Sequence, residues 1–291
     1  MATEQALRLG TIVTAYRPDE SFASRFAPIV DMCRAIVVVD NTPGGHTFQD
    51  LGAPFVVLQD GRNKGLGKAL NLGIARAGEL GCDVVALFDQ DSTPSASLLT
   101  SLLSCLAGVD PAHSVVGPTH LDDREPELRS RPSRPSGSLV PMTCLPTSGM
   151  LFSLADWSGS PHFSEELFLD LVDFDWCWRM RALGWHFYKA SDVTMPHRLG
   201  LAQRKLFGLV FHVPAPYRHY FQFRDTLRVV PRPYVPLYSK VRLLGLLPLK
   251  LLAYPWLLDR GLERLRWMLL GMADALRGRG GAGAAAARLG A

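Results

Sequence analysis

The sequence predicts an α/β protein whose mainly parallel sheet is covered by helices on both faces. Short runs of apolar and β-branched residues alternate with longer stretches of helical pattern, which is the rhythm of β-α-β units. The run at 84–88 is apolar throughout, as expected of a strand that is buried on both faces. Strands are predicted at 9–16, 36–39, 55–58 and 84–88, and helices at about 21–33, 65–80 and 95–106.

Later strands are predicted at 114–117, 147–152 and 192–195. The second half of 163–184 predicts a helix, for which Gly184 is a natural C-terminal stop. Residues 120–138 are polar and rich in arginine and proline. That composition predicts a loop or a mobile lid.

The cysteines and the N-terminus bear on the compartment. Five cysteines are scattered along the 291 residues, and none lies in a Cys-x-x-Cys pair. An odd, unpaired set argues against a zinc ribbon or a disulfide framework and indicates a reducing cytosol. The N-terminus has no basic segment followed by an apolar one, so we expect no signal peptide and a cytoplasmic location.

The charge is unevenly distributed along the chain. Residues 197–291 contain 16 Lys and Arg against 4 Asp and Glu, a net charge of +12, whereas the whole chain has +4. We expect residues 201–291 to form a basic, amphipathic helical extension. Its basic surface either faces an anionic partner or is simply solvated.

Two segments of this extension are apolar. Residues 243–258 are interrupted by Pro248, Lys250 and Pro255, and they are too short for a spanning helix, which needs about 20 apolar residues. Further on, a leucine-rich stripe predicts an amphipathic helix that either packs on its own domain or lies on a membrane. The stripe consists of Leu262, Leu265, Leu269, Met272 and Leu276, with Arg260, Arg264 and Arg266 on the other faces.

The first candidate site is Asp89-Gln90-Asp91, which directly follows the strand predicted at 84–88. Ligands of open α/β sheets bind beyond the carboxyl ends of the strands. Two carboxylates there repel each other unless a cation neutralises them, and oxygen ligands suit Mg2+ or Mn2+. The motif therefore predicts a metal site that binds the diphosphate of a sugar nucleotide.

A haloacid-dehalogenase-like phosphatase is the alternative, with Asp89 as nucleophile in Asp89-x-Asp91-x-Thr93. That motif normally follows the first strand, whereas three predicted strands come before it here. The later acidic pair of such enzymes would be Asp122-Asp123, which falls in the polar loop. A transferase is therefore favoured.

Further carboxylates open the helix predicted near residue 173. Asp173 and Asp175 lie where the helix dipole favours negative charge, and one of them could deprotonate an acceptor hydroxyl. We expect Asp173 to be this base and Asp175 to be structural, with Arg179 as its partner at i+4. His197 follows a predicted strand and is a candidate third metal ligand.

In this order, the motifs resemble the inverting glycosyltransferases of family 2, and most of all their rhamnosyltransferase subgroup. The resemblance covers about residues 8–280. Its motifs are Val13-Thr14-Ala15-Tyr16, Val39-Asp40-Asn41, Asn63-Lys64-Gly65 with Asn71, Phe88-Asp89-Gln90-Asp91-Ser92, Thr147-Ser148-Gly149, Leu167-Phe168-Leu169-Asp170 with Asp173 and Trp176, His197-Arg198-Leu199-Gly200, Tyr217-Arg218-His219-Tyr220, Phe223-Arg224-Asp225 and Pro231-Arg232-Pro233-Tyr234.

The resemblance implies a GT-A fold over residues 1–200, with a nucleotide half of about 8–117 and an acceptor half of about 140–200. It implies that Asp91 holds Mg2+ or Mn2+, that Asp89 touches the ribose or the metal, and that Asp173 is the general base. The nucleotide pocket would be formed by Thr14, Tyr16, Asp40, Asn63 and Gly65, and the acceptor side would be formed or supported by Ser148, Gly149, Asp175, Trp176 and Arg179.

It further implies transfer of L-rhamnose from dTDP-L-rhamnose to a saccharide or polyprenyl-linked acceptor at the inner-membrane surface, without nucleic acid. Two positions depart from the family: Asp225 stands where the subgroup has Asn, and Val172 where the wider family has Glu. A family 2 enzyme that uses a UDP- or GDP-sugar, and a nucleotide-sugar sensor without activity, are the alternatives within this fold.

Overall fold

The computed structural model describes residues 7–49, 51–122, 138–197, 202–206 and 209–289. Side chains are described in these ranges except at 122, 197, 202–206 and 209–212. Of the sequence predictions, the loop or lid at 120–138 lies almost entirely outside the described residues. The same holds for the side chain of His197.

The first half of the chain alternates strands and helices. In chain order the elements are β1 (Leu9–Ala15), α1 (Phe22–Phe26), β2 (Cys33–Asp40), β3 (Phe55–Gln59), α2 (Leu66–Glu79), β4 (Val84–Asp89), α3 (Ala96–Ala107) and β5 (Ser114–Asp122).

The second half adds shorter strands and then a series of helices. They are β6 (Leu139–Met142), β7 (Leu151–Ser153), α4 (Val172–Ala182), β8 (His186–His197), β9 (Ala202–Leu206), β10 (Leu209–Val213), α5 (Arg218–Val229), α6 (Leu237–Leu257), α7 (Gly261–Leu276) and α8 (Ala286–Leu289).

Eight strands form one sheet in the order β3-β2-β1-β4-β7-β5-β8-β6, and β9 and β10 form a separate antiparallel pair. Strands β1 to β4 are mutually parallel, as are β5 and β8. The short strand β7 runs antiparallel to both β4 and β5 and joins the two parallel groups. The predicted fold class, a mixed and mainly parallel sheet flanked by helices and followed by a helical extension, is confirmed.

Helices cover both faces of the sheet because the strands are apolar on both sides. Ile12 and Val13 are neighbours in β1 and are completely buried in different apolar clusters. Ile12 packs in the cluster that contains α2 and α4, and Val13 packs with α1 and α3. Gly73 of α2 allows a close approach, because a Cβ atom there would lie 2.5 Å from the side chain of Ile12.

Three predicted elements differ from the structure. The helix expected over 21–33 is broken, because α1 ends at Phe26 and a 3-10 helix with Pro28 in its first turn follows. The strand expected at 147–152 is shorter, since Gly149 has a φ of 88° and β7 begins only at Leu151. Strand β8 is longer than expected, and β6, β9 and β10 were not predicted.

The helical extension is present, but the apolar stripe of α7 faces outward. Leu262 and Leu276 are 82% and 87% exposed, whereas Arg264 and Asp274 on the opposite side are buried. Leu265 and Met272 of the same stripe are half-buried, and α7 packs on α5 and α6, so both alternatives for this stripe stay predictions. The buried polar residues lie on the side of α7 that approaches α5, where Gly271 meets the backbone of Tyr220.

Helix α6 includes both Pro248 and Pro255 and has no buried residue. No helix in the described part of the chain is long and apolar enough to cross a membrane. The division of the chain at residue 200 stays a prediction.

Candidate active site

A cleft of about 1160 Å³ lies at the carboxyl ends of β1 and β4. This is the edge at which a parallel sheet binds its ligands. The loops that follow β1 to β4, the segments before β7 and α4, and the helical extension line the cleft. Of the residues predicted for the site, it contains Thr14, Tyr16, Asn63, Gly65, Asp89, Asp91 and Asp173.

The loop after β4 holds both carboxylates of the predicted metal site at the cleft. Asp89 is the last residue of β4 and is half-buried, and Asp91 is exposed. Between them, Gln90 also lines the cleft and accepts a hydrogen bond from the backbone N–H of Tyr16 at 2.6 Å. The middle residue of the motif therefore ties the end of β1 to the end of β4.

Ser148 and Gly149 support this loop from behind and do not line the cleft, whereas Thr147 of the same turn does. The hydroxyl groups of Ser92 and Ser148 are hydrogen-bonded at 2.6 Å, and both residues are buried. The N–H of Gly149 donates to the carbonyl of Leu87 at 2.6 Å. A Cβ atom at Gly149 would lie 2.6 Å from the ring of Pro118, so this position is restricted to glycine by space as well as by its φ.

On the predicted nucleotide side, Asp40 is buried beside the cleft. Its carboxylate accepts hydrogen bonds from the N–H groups of Thr42 and His46, at 2.9 and 2.8 Å. Its neighbour Asn41 does line the cleft, although the sequence analysis assigned it no role. The Asn41 side chain spans the loop by bonding to the N–H of Lys64 and the carbonyl of Gly65.

The last described turn of the chain reaches the same side. The Asn63 amide accepts from the N–H of Gly65 at 3.0 Å and donates to the carbonyl of Leu289 at 3.3 Å. Leu289 itself lines the cleft. The distance of 226 positions between the two partners explains why no sequence pattern could predict this contact.

Asp173 lies in the first turn of α4 and lines the cleft. Burial raises the pKa of its carboxyl group to about 6, and the nearby carboxylates of Asp89 and Asp170 also raise it. The N–H of Phe174 donates to Asp173 at 2.9 Å and acts in the opposite direction. A carboxylate with a pKa near neutrality is well matched to the work of a general base.

Asp175, one half-turn further on, is completely buried behind the cleft. It forms an ion pair with Arg179 at 2.8 Å and accepts a hydrogen bond from the hydroxyl of Tyr234 at 2.5 Å. Trp176 is also buried, stacks on Phe163 and donates to the carbonyl of Pro161. The structure places these predicted support residues behind the cleft, where they hold helix α4.

Sequence reasoning missed an ion pair inside the cleft. Arg218 of α5 lies 2.7 Å from Asp170, and the Asp170 carboxylate raises the pKa of this guanidinium. One oxygen of Asp170 and the Nε of Arg218 are buried without a hydrogen-bond partner. Buried polar atoms of this kind are normally paired, so their position in a cleft indicates that a ligand satisfies them.

Among the described residues that line the cleft, the cations are Arg218 and Lys250, and both belong to the extension. Burial lowers the pKa of Lys250. The sequence signals for this contribution were the excess of basic residues after position 197 and the motif Tyr217-Arg218-His219-Tyr220 of the resemblance. Neither indicated that Arg218 and Lys250 would reach the cleft.

The described part of the chain contains no group of three or more His, Cys, Asp or Glu side chains arranged to hold a metal ion. Asp89 and Asp91 nevertheless supply an all-oxygen pair at the cleft, which fits Mg2+ or Mn2+ when phosphate oxygens and water complete the coordination. The proposed third ligand, His197, ends β8, and its side chain lies outside the described residues.

The fold matches solved glycosyltransferases. TarS 1-349 of S. aureus in complex with UDP-GlcNAc superposes with a TM-score of 0.56 at 13% identity, over 93% of this chain and 81% of that one. GalNAc-T7 with UDP, GalNAc and Mn2+ superposes with a TM-score of 0.53 at 11% identity, over 84% of this chain and 55% of that one. The chain shares the fold of these solved glycosyltransferases, the GT-A fold.

The sequence comparison points to a narrower group. The dTDP-rhamnosyl transferase RfbF of Shigella flexneri is 25% identical over 259 residues, which covers 79% of this chain and 82% of the relative. The resemblance to family 2 glycosyltransferases of the rhamnosyltransferase subgroup is thereby confirmed. No protein-family model matches the chain.

Proposed function

We propose that the protein transfers L-rhamnose from dTDP-L-rhamnose to a hydroxyl group of a saccharide, with inversion at the anomeric carbon and with a divalent metal ion. One observation carries the proposal: Asp89 and Asp91 share a single cleft with Asp173, whose pKa is raised to about 6. This arrangement can provide both a metal-diphosphate site and a base. The similarity to RfbF supports the choice of donor.

Asp173 is the better candidate for the base, although Asp170 also lines the cleft. The Asp170 carboxylate forms an ion pair with the Arg218 guanidinium at 2.7 Å, which suits it to hold that cation in the cleft. The Asp173 carboxylate accepts a hydrogen bond from the backbone N–H of Phe174, and burial raises the pKa of this carboxyl group to about 6. It would accept the proton of the acceptor hydroxyl while that oxygen attacks the anomeric carbon and the bond to the diphosphate breaks.

The leaving diphosphate develops negative charge, which must be stabilised. Asp89 and Asp91 would hold Mg2+ or Mn2+, which acts as a Lewis acid on the diphosphate when bound. Arg218 and Lys250 are the described cations of the cleft and would bind phosphate oxygens directly. The unpaired Nε of Arg218 suits such a contact, because charge-assisted hydrogen bonds to phosphate are strong.

The acceptor is proposed to be a saccharide, free or carried on a polyprenyl lipid, and the enzyme is proposed to work at the cytoplasmic face of the inner membrane. The net charge of +12 on residues 197–291 supports attraction to an anionic surface. Such attraction is screened by salt, with a Debye length of about 8 Å at physiological ionic strength.

A thermal-shift panel of nucleotides and nucleotide sugars, each with Mn2+, Mg2+ or EDTA, tests the donor and the metal together. Ligand at 100 times its Kd adds about 2.7 kcal/mol of stability. We expect stabilisation by dTDP and dTDP-L-rhamnose that needs the metal and disappears in Asp91→Ala. The matched control is Asp156→Ala, an exposed aspartate that does not line the cleft.

A UDP-sugar is the second candidate donor, because the structures of TarS and GalNAc-T7 contain UDP or a UDP-sugar. Metal-dependent stabilisation by UDP-sugars alone would reject rhamnose and keep the mechanism. Stabilisation by phosphate analogues without any nucleotide response would reject the transferase and favour the phosphatase.

A further inference from the structure

One side of helix α6 is a row of apolar side chains exposed on the surface. At these spacings the residues share one face of a helix. We call this row the α6 outer stripe. It consists of Tyr238, Val241, Leu249, Leu252 and Trp256, of which Trp256 is 86% exposed. A continuous exposed apolar surface of this kind marks an interaction site, whereas single exposed leucines need no explanation.

The opposite side of the same helix lines the active-site cleft through Leu243, Leu247 and Lys250. Lys250 is held there by a hydrogen bond of 3.0 Å to the side chain of Gln222. Any partner that covers the outer stripe therefore lies one helix diameter, about 10 Å, from the cleft.

Helix α7 packs against α6 and also exposes leucines on its surface. Its exposed residues include Leu262, Leu269 and Leu276, whereas Arg264 is buried and bonds to the carbonyl of Pro214 and to Asp259. A helix in contact with water alone would bury its leucines and expose its arginine. The arrangement indicates that an apolar phase covers part of this surface.

Charge and aromatic residues identify the apolar phase as a bilayer. Residues 237–289 carry nine Lys and Arg against three Asp and Glu. Arg242 is exposed in α6 and Arg266 in α7. Tyr238 and Trp256 stand near the two ends of α6, and such aromatics favour the interface between water and lipid. A basic, amphipathic helix with exposed leucines and interfacial aromatics fits an anionic membrane surface.

We propose that the α6 outer stripe inserts into the interfacial layer of an anionic bilayer, with α6 lying in the plane of the membrane. The inference rests on the proposed transferase function and narrows its acceptor to an amphiphile. The apolar chain of that acceptor stays in the bilayer, and its hydroxyl-bearing head enters the cleft along the inner face of α6.

The test is binding of the full chain to vesicles of phosphatidylcholine and phosphatidylglycerol, measured by co-sedimentation at 0.1 and 0.5 M NaCl. The variant Leu249→Ser/Leu252→Ser/Trp256→Ser removes apolar area without changing charge. We expect its partition coefficient to fall about a hundredfold or more. The control Leu183→Ser changes an exposed leucine outside α6 and α7 and should bind as the wild type does.

Vesicles with acyl chains brominated near the headgroup provide a second readout. Tryptophan quenching is expected in the wild type and is largely lost in Trp256→Phe, while binding persists. Equal vesicle binding by the wild type and the triple serine variant would overturn the proposal. A second outcome would also overturn the proposal: the wild type does not bind vesicles but forms a dimer, and the triple serine variant is monomeric. A second copy of the chain would then cover the stripe.

Consumption of nucleotide sugar in the absence of vesicles tests the proposed transferase function alone, because it does not depend on membrane binding. The triple serine variant should consume the donor, with water or a soluble saccharide as acceptor, at the wild-type rate. Vesicle binding that depends on the α6 outer stripe, together with no consumption of nucleotide sugar by any variant, would support the membrane-binding role of the stripe and reject the transferase proposal.

Discussion

Arg218 and Asp170 form an ion pair of 2.7 Å inside the cleft, although 48 positions separate them in the chain. Each partner keeps one buried polar atom without a hydrogen bond. The pair joins the helical extension to the loop that leads into α4. It also places a cation in the cleft that Asp89, Asp91 and Asp173 line.

The pair can be tested by a double-mutant cycle. Arg218→Gln leaves the Asp170 carboxylate uncompensated and should reduce the free energy of unfolding by about 1–2 kcal/mol, because Arg218 is partly exposed. Adding Asp170→Asn should recover part of this loss. Denaturant melts of the four proteins measure the coupling. A zero coupling energy would show that the pair does not contribute to stability.

Replacing Asp173 by asparagine tests the base. The variant keeps the shape of the side chain but cannot accept a proton, so we expect kcat to fall by about 10²–10⁴-fold. Donor affinity should change little, because Asp173 is proposed to act on the acceptor. Kinetics and donor titration on the same protein measure both quantities. Equal losses in kcat and in donor affinity would reject the assignment.

The raised pKa of Asp173 predicts a pH dependence of turnover. The carboxylate works as a base only when it is deprotonated, so activity should be high above pH 6. It should fall about tenfold per pH unit below the pKa of about 6. The rate at saturating donor, measured between pH 4.5 and 8, tests this. The residual activity of Asp173→Asn should lack the same inflection.

Gly149→Ala should destabilise the protein in two ways, by backbone strain and by a steric clash. A matched control, Gly184→Ala, introduces only the strain. Gly149 has a φ of 88°, and an added Cβ would also meet Pro118 at 2.6 Å. Gly184 has a φ of 92° with nothing within 4 Å. Gly184→Ala should therefore cost about 1 kcal/mol from backbone strain alone, and Gly149→Ala about 3 kcal/mol or more. Thermal or denaturant unfolding gives the difference.

The catalytic half of the fold was predictable because its signals are local. The strands β1 to β4 contain short runs of apolar and β-branched residues, and Asp89-Gln90-Asp91 comes directly after the run at 84–88. The structural role of the Gln90 side chain was not predictable from the sequence. Its side chain bonds to the backbone of Tyr16, 74 positions away, and only the pairing of β1 with β4 brings them together.

The helical extension was predicted less well, because α7 exposes leucines and buries charged side chains, which is the opposite of the usual arrangement. The periodic leucines of α7 predicted a stripe covered either by the protein or by a membrane, and the structure exposes Leu262 and Leu276 while it buries Arg264 and Asp274. Buried partners satisfy both residues: Asp274 accepts a hydrogen bond from the Tyr220 hydroxyl, and Arg264 contacts His219. Periodicity identifies a stripe, but it does not say whether protein or another apolar phase covers it.

Strand β7 has a consequence for how the chain must fold. It pairs with β4, and the turn before it supplies Ser148 to the loop that carries Asp89 and Asp91. Until residues 147–153 arrive, β4 is an unpaired apolar edge, which invites intermolecular pairing. During synthesis the donor site therefore matures only after more than half of the chain has left the ribosome. The first 122 residues, expressed alone, should aggregate rather than bind nucleotide.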